Sequence, residues 1–138
     1  MKQNFINYIN GSWEDENDSS VPIYDGGFLL GDGLFETIRF DNKNIFSVEK
    51  HLSRLYEGLR LIRIKLNIKE NDIISLLEKI VNKNLIQSGL LRLMITRGKI
   101  KGAPWKYMGE PGIYITIRPF TNEPKLPVKV IYYNETKY

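Results

Sequence analysis

The chain has 138 residues, of which 42% are hydrophobic and 26% are charged, a balance that is typical of one ordinary globular domain. It has no cysteine, which excludes disulfides, thiolate metal sites and a cysteine nucleophile, and its single histidine, His51, makes a histidine metal cluster or a Ser-His-Asp triad implausible. Its net charge of +4 is scattered rather than concentrated in a basic stripe with aromatic residues, so the sequence does not predict nucleic-acid binding.

The N-terminus and the hydropathy pattern contain no membrane signal. No apolar run approaches the roughly 18 residues that a membrane-spanning helix needs. The first residues also lack the apolar stretch and small-residue cleavage site of a signal peptide. Together with the absence of cysteine, these features predict a cytoplasmic protein that has no membrane partner.

Short strands are predicted throughout the N-terminal part of the chain. The pair Asn10-Gly11 is a strong hairpin signal, and a glycine-rich passage at 25–33 precedes an apolar strand. The segments that predict strands are 5–9, 12–14, 21–24, 34–40 and 45–47.

Two helices are predicted after these strands. Apolar residues recur at spacings of three or four over 48–59, with Ser47 as a reasonable N-cap. A second helix is expected after Asn71, with its apolar face over 73–81 and Gly89 as its C-terminal stop. Further strands are then predicted at 90–97, 113–118 and 128–133. This order predicts an α+β domain in which two helices pack on one face of a mainly antiparallel sheet.

Prolines mark a boundary before the last predicted strand. Pro119, Pro124 and Pro127 suit a semi-rigid linker better than a hairpin. A single strand after such a linker has no predicted partner, which suggests that a second domain is truncated. The predicted division is a small N-terminal domain over 1–118, an interdomain linker over 119–127 and the first strand of a C-terminal domain over 128–138.

Three side chains of the strand at 34–40 are candidates for lining a pocket. Alternation places Phe35, Thr37 and Arg39 on one face, opposite a mostly apolar face that should pack on the helices. An aromatic ring, a hydroxyl and a guanidinium are unusual together on a plain solvent face. The spacing alone supports a pocket and an exposed outer surface equally.

The segment Gly31-Asp32-Gly33 has glycines but not the context of a phosphate-binding loop. Such loops lie between a strand and a helix, because the helix N-terminus supplies the positive end, whereas this segment lies directly before a strand. The residues alone favour a structural role, in which the glycines allow the backbone to approach its neighbours closely at the start of the sheet.

Two arginines are candidates for anion binding. Arg54 lies three residues after His51 on the first helix, where its stem can lie along buried leucines or its guanidinium can hold a carboxylate or phosphate. The residue pattern alone favours the structural alternative for Arg54. Arg97 ends an apolar strand directly before Gly98, a place where side chains often point into a cleft. The long loop at 99–111 contains aromatic residues and could act as a lid or simply be mobile.

Four sequence motifs occur along the chain in a characteristic order. They are Tyr8-Ile9-Asn10-Gly11, the stretch GDGLFETIR from Gly31 to Arg39, His51-Leu52-Ser53-Arg54-Leu55 and Thr96-Arg97-Gly98. Together they resemble the class IV aminotransferases, the family that includes D-amino-acid and branched-chain aminotransferases and aminodeoxychorismate lyase. The stretch GDGLFETIR is the most specific of the four.

The resemblance implies roles for the candidate residues. Arg54 would hold the 5′-phosphate of pyridoxal phosphate, a task that suits a bidentate guanidinium. Phe35, Thr37 and Arg39 would face the substrate, and Arg97 would lie near the substrate carboxylate. In the intact family two domains enclose the cofactor, and the molecule is a homodimer.

The family's Schiff-base lysine and the acidic partner of the cofactor's pyridine nitrogen are expected beyond Tyr138. Residues 134–138 resemble the strand end that precedes this lysine, and Lys137 takes the place of an arginine in that pattern. No catalytic residue is therefore assigned within the chain. Pyridoxal phosphate is expected in the intact parent, and this chain alone could lack it.

The expected function is that of an N-terminal fragment, inactive alone, of a class IV enzyme. The parent would act on amino acids by transamination or on aminodeoxychorismate as a lyase. The wording of the GDGLFETIR motif and the short N-terminus favour the lyase or the D-amino-acid aminotransferase type, with the lyase slightly preferred. The alternative is a standalone, non-catalytic binding or interaction module derived from the same domain.

Overall fold

The chain begins with a tight hairpin, as its Asn-Gly pair predicts. The computed structural model describes residues 4–120 and 126–132, with β1 at Ile6–Ile9 and β2 at Ser12–Asp15. Between them, Asn10 and Gly11 have φ values of 48° and 100°. Positive φ at both central residues is what a two-residue type I′ turn requires.

A short helix lies within the glycine-rich passage, for which the sequence predicted no helix. This helix, α1, spans Gly26–Leu30, and residues 21–24 form no strand, so that strand prediction is wrong. The Asp25 side chain accepts a hydrogen bond from the Gly27 backbone N–H at 2.8 Å and so caps the helix. Gly31 ends the helix with a φ of 67°. A helix of five residues is too short to show the periodic pattern from which helices are predicted.

One antiparallel sheet organises the rest of the chain. The further strands are β3 (Gly33–Asp41), β4 (Asn44–Ile45), β5 (Gly89–Thr96), β6 (Lys99–Ile100), β7 (Tyr107–Met108) and β8 (Gly112–Pro119). The sheet has the order β2-β1-β8-β5-β3-β4, and every neighbouring pair is antiparallel. β6 and β7 form a separate hairpin within the long loop.

Two longer helices pack on one face of this sheet, as predicted. α2 spans Val48–Leu61 and packs against β3, and α3 spans Glu70–Lys83 and packs against β1 and β8. The fully or almost fully buried helix residues that form the core with the sheet are Leu52, Leu55, Leu59, Ile73, Leu77, Ile80 and Val81. The α+β class with a mainly antiparallel sheet is therefore confirmed. No helix in the described ranges is long and apolar enough to cross a membrane.

Two predicted helix-end signals differ from the structure. Ser47 precedes α2, but its backbone is left-handed with a φ of 47°, and its side chain makes no capping hydrogen bond. α3 ends before Asn84, whose buried side chain donates to a carbonyl of the last turn at 2.8 Å. Gly89 is not the stop; it begins β5, where an added Cβ would overlap the Arg118 carbonyl oxygen of the neighbouring strand.

The strand predicted at 128–133 is not observed. Residues 128–132 have no regular secondary structure and are exposed, whereas 133–138, which include Lys137, lie outside the described residues. A strand is stabilised by pairing its N–H and C=O groups with a neighbour, and no described strand pairs with this segment. The linker at 119–127 is described only in part, so the division of the chain after residue 118 stays a prediction.

Candidate functional site

The long strand β3 presents its three candidate residues on one face, in agreement with the predicted alternation. Phe35, Thr37 and Arg39 are exposed, and 61% of the Phe35 surface is accessible. The residues between them are buried against the helices: Glu36, Ile38 and Phe40. Neither α2 nor α3 covers the first face, and α1 borders it only at its Thr96 end, so the rest of it is an open sheet surface within the described part of the chain.

Cations and aromatic rings alternate on this open face. The Arg39 guanidinium lies over the Phe120 ring at 4.5 Å from its centroid, and the Arg92 guanidinium lies over Phe35 at 4.9 Å. The register places Arg92 of β5 directly opposite Thr37. Neither guanidinium forms an ion pair with a carboxylate of the described residues. The face can therefore accept a planar or apolar group together with an anion.

One edge of β3 has no strand partner over the residues that carry the open face. β5 pairs with β3 along its whole length, but β4 pairs with it on the other side only at Phe40 and Asp41. The edge that carries residues 34–38 is therefore not covered by a ladder partner. Because alternate residues point to opposite faces, β3 directs Phe35 and Thr37 to the open face and Glu36 to the helix side of the same edge.

On the helix side, Glu36 fixes the guanidinium of Arg54. Arg54 of α2 donates from Nε to Glu36 Oε1 at 2.7 Å and from Nη2 to Oε2 at 2.5 Å. His51, one turn earlier on α2, has its Nδ1 2.7 Å from the same Oε2. The Glu36 side chain is only 7% exposed, whereas that of Arg54 is 69% exposed. The pair is thus anchored on its buried side and open to solvent on the other.

Electrostatics keep both members of this pair charged. The hydrogen bond from Arg54 is the main cause that lowers the pKa of Glu36; burial opposes it, and the contact with His51 adds to it. The same hydrogen bond raises the pKa of Arg54. Arg54 makes no further hydrogen bond with a described residue besides a long 3.4 Å approach to His51 Nδ1. Its exposed donors, held in one direction, are chemically suited to a phosphate group.

Arg97 is placed differently from the other candidates. Its Nε and Nη2 donate to the Asp32 carboxylate at 2.7 and 3.0 Å, and its Nη groups donate to the carbonyls of Ile62 and Arg63 at 2.7 and 3.0 Å. The Tyr107 hydroxyl donates to the same carboxylate at 2.5 Å. The hydrogen bond from Arg97 is the main cause that lowers the pKa of Asp32. Arg97 therefore joins the end of β5, the start of β3 and the end of α2.

The residues that orient the two arginines are not among the candidates predicted from the sequence. Glu36 and Asp32 each accept a bidentate pair, from Arg54 and Arg97 respectively. Glu36 had a usable signal, because it is the one charged residue on the otherwise apolar face of β3. Asp32 had none, since its partner lies 65 residues away in the chain.

Comparison with known proteins places the chain in a family. The model of the amino-transferase class IV family matches residues 33–137, well over half of the chain. D-alanine aminotransferase of Bacillus licheniformis is 33% identical over 121 residues, which are 88% of this chain and 42% of that protein. A putative branched-chain-amino-acid aminotransferase of Methanocaldococcus jannaschii is 33% identical over 91 residues, which are 66% of this chain and 32% of that protein.

Solved structures show the same fold. Branched-chain amino acid aminotransferase of Escherichia coli matches with a TM-score of 0.77 at 20% identity, over 86% of this chain and 42% of that one. Branched-chain aminotransferase of the thermophilic archaeon Thermoproteus uzoniensis, solved with norvaline, matches with a TM-score of 0.71 at 18% identity, over 86% of this chain and 41% of that one. The chain thus spans less than half the length of these proteins. It belongs to the amino-transferase class IV family.

Proposed function

We propose that this chain is the N-terminal, phosphate-holding part of a pyridoxal-phosphate-dependent enzyme that transaminates amino acids. The observation that carries the proposal is the guanidinium of Arg54, which Glu36 holds in one direction while its outer side stays exposed. The two sequence relatives are named as aminotransferases, which supports transamination rather than the aminodeoxychorismate lyase reaction for the parent.

The residues of this chain would hold the cofactor, and no chemical step is assigned to them. Pyridoxal phosphate, when bound, supplies an electron sink for the bonds at the substrate α-carbon. Arg54 would hold its 5′-phosphate, because a guanidinium matches phosphate oxygens with two parallel hydrogen bonds. Glu36 would keep Arg54 in place, and the open edge of β3 would border the bound group. No catalytic residue is assigned to residues 1–138.

The open face of β3 is proposed as one wall of the substrate pocket. Phe35, Thr37 and Arg39 supply an aromatic surface, a hydroxyl and a cation that has no carboxylate partner among the described residues. A substrate carboxylate that took two parallel hydrogen bonds from Arg97 would have to displace Asp32 or a carbonyl of Ile62 or Arg63, because only one Nη1 N–H has no partner among the described residues. The contacts of Arg97 therefore support a structural role better than a substrate role.

The parent is proposed to be a homodimer, and the surface of α1 supports this. We call the α1 surface the large apolar side chains of α1 and of the residues just before it, which are 46–67% exposed: Val21, Ile23, Tyr24, Phe28, Leu29 and Leu30. A cavity of about 430 Å³ opens beside Phe28 and Phe35, so the surface offers both a protruding ring and a recess. A two-fold contact needs such self-complementarity, and contiguous apolar patches of this kind mark interaction sites.

This association predicts a measurable change of mass. We expect sedimentation equilibrium to give a mass that rises with concentration from 16.1 kDa towards twice that value. Phe28→Ser combined with Leu30→Ser should keep the chain monomeric. Leu85→Ser is the control, because Leu85 is 93% exposed at a site remote in sequence from α1. Association of the double variant equal to that of the unaltered chain would rule out the α1 surface.

The phosphate role of Arg54 predicts a loss of affinity when this residue is replaced. Pyridoxamine 5′-phosphate is a suitable probe, since it carries the phosphate but no aldehyde that would react with surface lysines. By isothermal titration calorimetry, Arg54→Ala should bind it about tenfold more weakly or worse, because a charge-assisted pair of hydrogen bonds is lost. Arg54→Lys should be intermediate, since an ammonium keeps the charge but not the paired geometry.

Arg60→Ala is the matched control for this titration. Arg60 is an exposed arginine on the same helix, and its removal changes the net charge by the same amount. We expect its affinity to stay within about twofold of the unaltered chain. Equal losses in the two variants would mean that net charge, and not a site at Arg54, determines binding.

A further inference from the structure

His51 is the chain's single histidine, and it contacts the same carboxylate as Arg54. Glu36 lies on the helix side of β3 and is 6% exposed, between apolar residues of that face. Its two oxygens face three nitrogens of α2: Nε and Nη2 of Arg54 and Nδ1 of His51. Among the described residues, the hydrogen-bond partners of this carboxylate therefore all come from one helix turn.

The position of the proton between His51 and Glu36 follows from the charge of the carboxylate. The pKa of Glu36 is held low, mainly by Arg54, so the group is ionised at neutral pH and can only accept hydrogen bonds. At 2.7 Å, the proton must then lie on Nδ1 of His51. Arg54 Nη2 is 3.4 Å from that nitrogen, and because both carry donors they do not bond to each other. Both converge on Oε2 instead.

This arrangement fixes the plane of the carboxylate. The terminal torsion of a glutamate side chain is broad and roughly two-fold, so a carboxylate held by one partner can swing together with it. The donor from His51 adds a second point of attachment on α2, on a side chain that is 22% exposed. With the plane fixed, the bidentate partner Arg54 is fixed as well, and its exposed donors keep one direction.

We infer that His51 is a positioning residue of the phosphate site, which acts through its Nδ1–H on Glu36 and through Glu36 on Arg54. The inference rests on the proposed phosphate role of Arg54. It gives the histidine of the motif His51-Leu52-Ser53-Arg54 a specific task, namely to supply a hydrogen bond from one particular ring nitrogen. His51 itself need not touch the phosphate.

The test compares two substitutions that mimic different ring nitrogens. The amide nitrogen of His51→Asn can take the place of Nδ1, whereas that of His51→Gln takes the place of Nε2. For pyridoxamine 5′-phosphate, we expect His51→Asn to stay within about twofold of the unaltered chain and His51→Gln to bind about three- to tenfold more weakly, the effect of one lost hydrogen bond. Equal affinities of the two variants, whether both unchanged or both weakened, would overturn the inference.

A second measurement needs no substitution. Because the chain has a single histidine, its side-chain ¹⁵N spectrum contains one imidazole, whose two nitrogen shifts identify the protonated atom. We expect the Nδ1–H form at a pH where the ring is neutral. A dominant Nε2–H form would overturn the inference even if a variant failed to fold.

Failure of this inference can be told apart from failure of the proposed function. If Arg54→Ala weakens binding but the two His51 variants are alike, the phosphate site stands and His51 does not position it. If Arg54→Ala leaves the affinity unchanged, the phosphate site itself is refuted and the inference falls with it.

Discussion

Replacement of Arg97 by methionine is expected to lower the free energy of unfolding by about 3 kcal/mol, because it leaves a partly buried carboxylate without its cation. The guanidinium makes two hydrogen bonds to Asp32 and one each to the carbonyls of Ile62 and Arg63. Methionine keeps much of the length and the apolar stem but none of these donors. Urea denaturation followed by circular dichroism measures the change.

Arg60→Met is the control for this substitution. Arg60 is an exposed arginine in the last turn of α2, so its replacement should change the free energy of unfolding by less than about 0.5 kcal/mol. Arg97→Lys should be intermediate, since one ammonium cannot reach a carboxylate and two carbonyls in the same geometry. If Arg97→Met lowered the free energy of unfolding no more than Arg60→Met, Arg97 would not have the structural role argued for it. That result would support a role near the substrate.

Replacement of Gly33 by alanine is expected to cost about 2 kcal/mol of stability, the usual effect of forcing an atom into a packed site. A Cβ at Gly33 would lie 2.5 Å from the Ile95 carbonyl oxygen and 3.0 Å from the Thr96 Cα. Both are backbone atoms of the paired strand β5, so they cannot move without disturbing the ladder.

Gly58→Ala provides a matched control with nearly the same overlap. Its Cβ would lie 2.6 Å from Leu34 Cδ1, which is the flexible end of a side chain. In addition, alanine is favoured over glycine by about 1 kcal/mol inside a helix, which offsets the repacking. We expect Gly58→Ala to change the unfolding midpoint little and Gly33→Ala to lower it clearly. If both substitutions lowered the midpoint equally, the close approach of β3 and β5 would not explain why position 33 is a glycine.

The GDGLFETIR segment divides into a structural first part and a candidate binding part. Gly31 ends α1 with a left-handed backbone, Asp32 accepts from Arg97 and Tyr107, and Gly33 permits the close approach to β5. The structural explanation favoured from the residues alone is thus confirmed for the close approach at Gly33. The candidate binding residues come later in the segment, where Glu36 anchors Arg54 and the alternate residues form the open face.

The sequence predicted the parts of the fold that local patterns determine. The Asn10-Gly11 hairpin, the alternation along β3 and the apolar faces of α2 and α3 are all present. The five-residue α1 is not predicted because it is shorter than the window of about 11 residues over which a helical period is detected. Gly89 was misassigned because a close approach between strands leaves the same glycine signal as a helix stop.

The candidate site was predicted less completely than the fold, because its contacts join distant parts of the chain. Arg54 was named, but its partner Glu36 lies 18 residues earlier on another element. The contacts of Arg97 with Asp32 span 65 residues. Hydrogen bonds of this kind leave no periodic trace in a single sequence, so only the structure distinguishes an arginine with exposed donors from one that is enclosed by its partners.

The most direct measurement is an NMR titration of the unaltered chain with pyridoxamine 5′-phosphate and, separately, with pyridoxamine. The two compounds differ only in the phosphate, which Arg54 is proposed to hold. We expect the phosphorylated compound to shift the amide signals of Glu36, Arg54 and their neighbours along α2 and β3, and pyridoxamine to leave them nearly unchanged. Equal shifts from both compounds, or shifts confined to residues remote from Arg54, would contradict a phosphate site at this edge of the sheet.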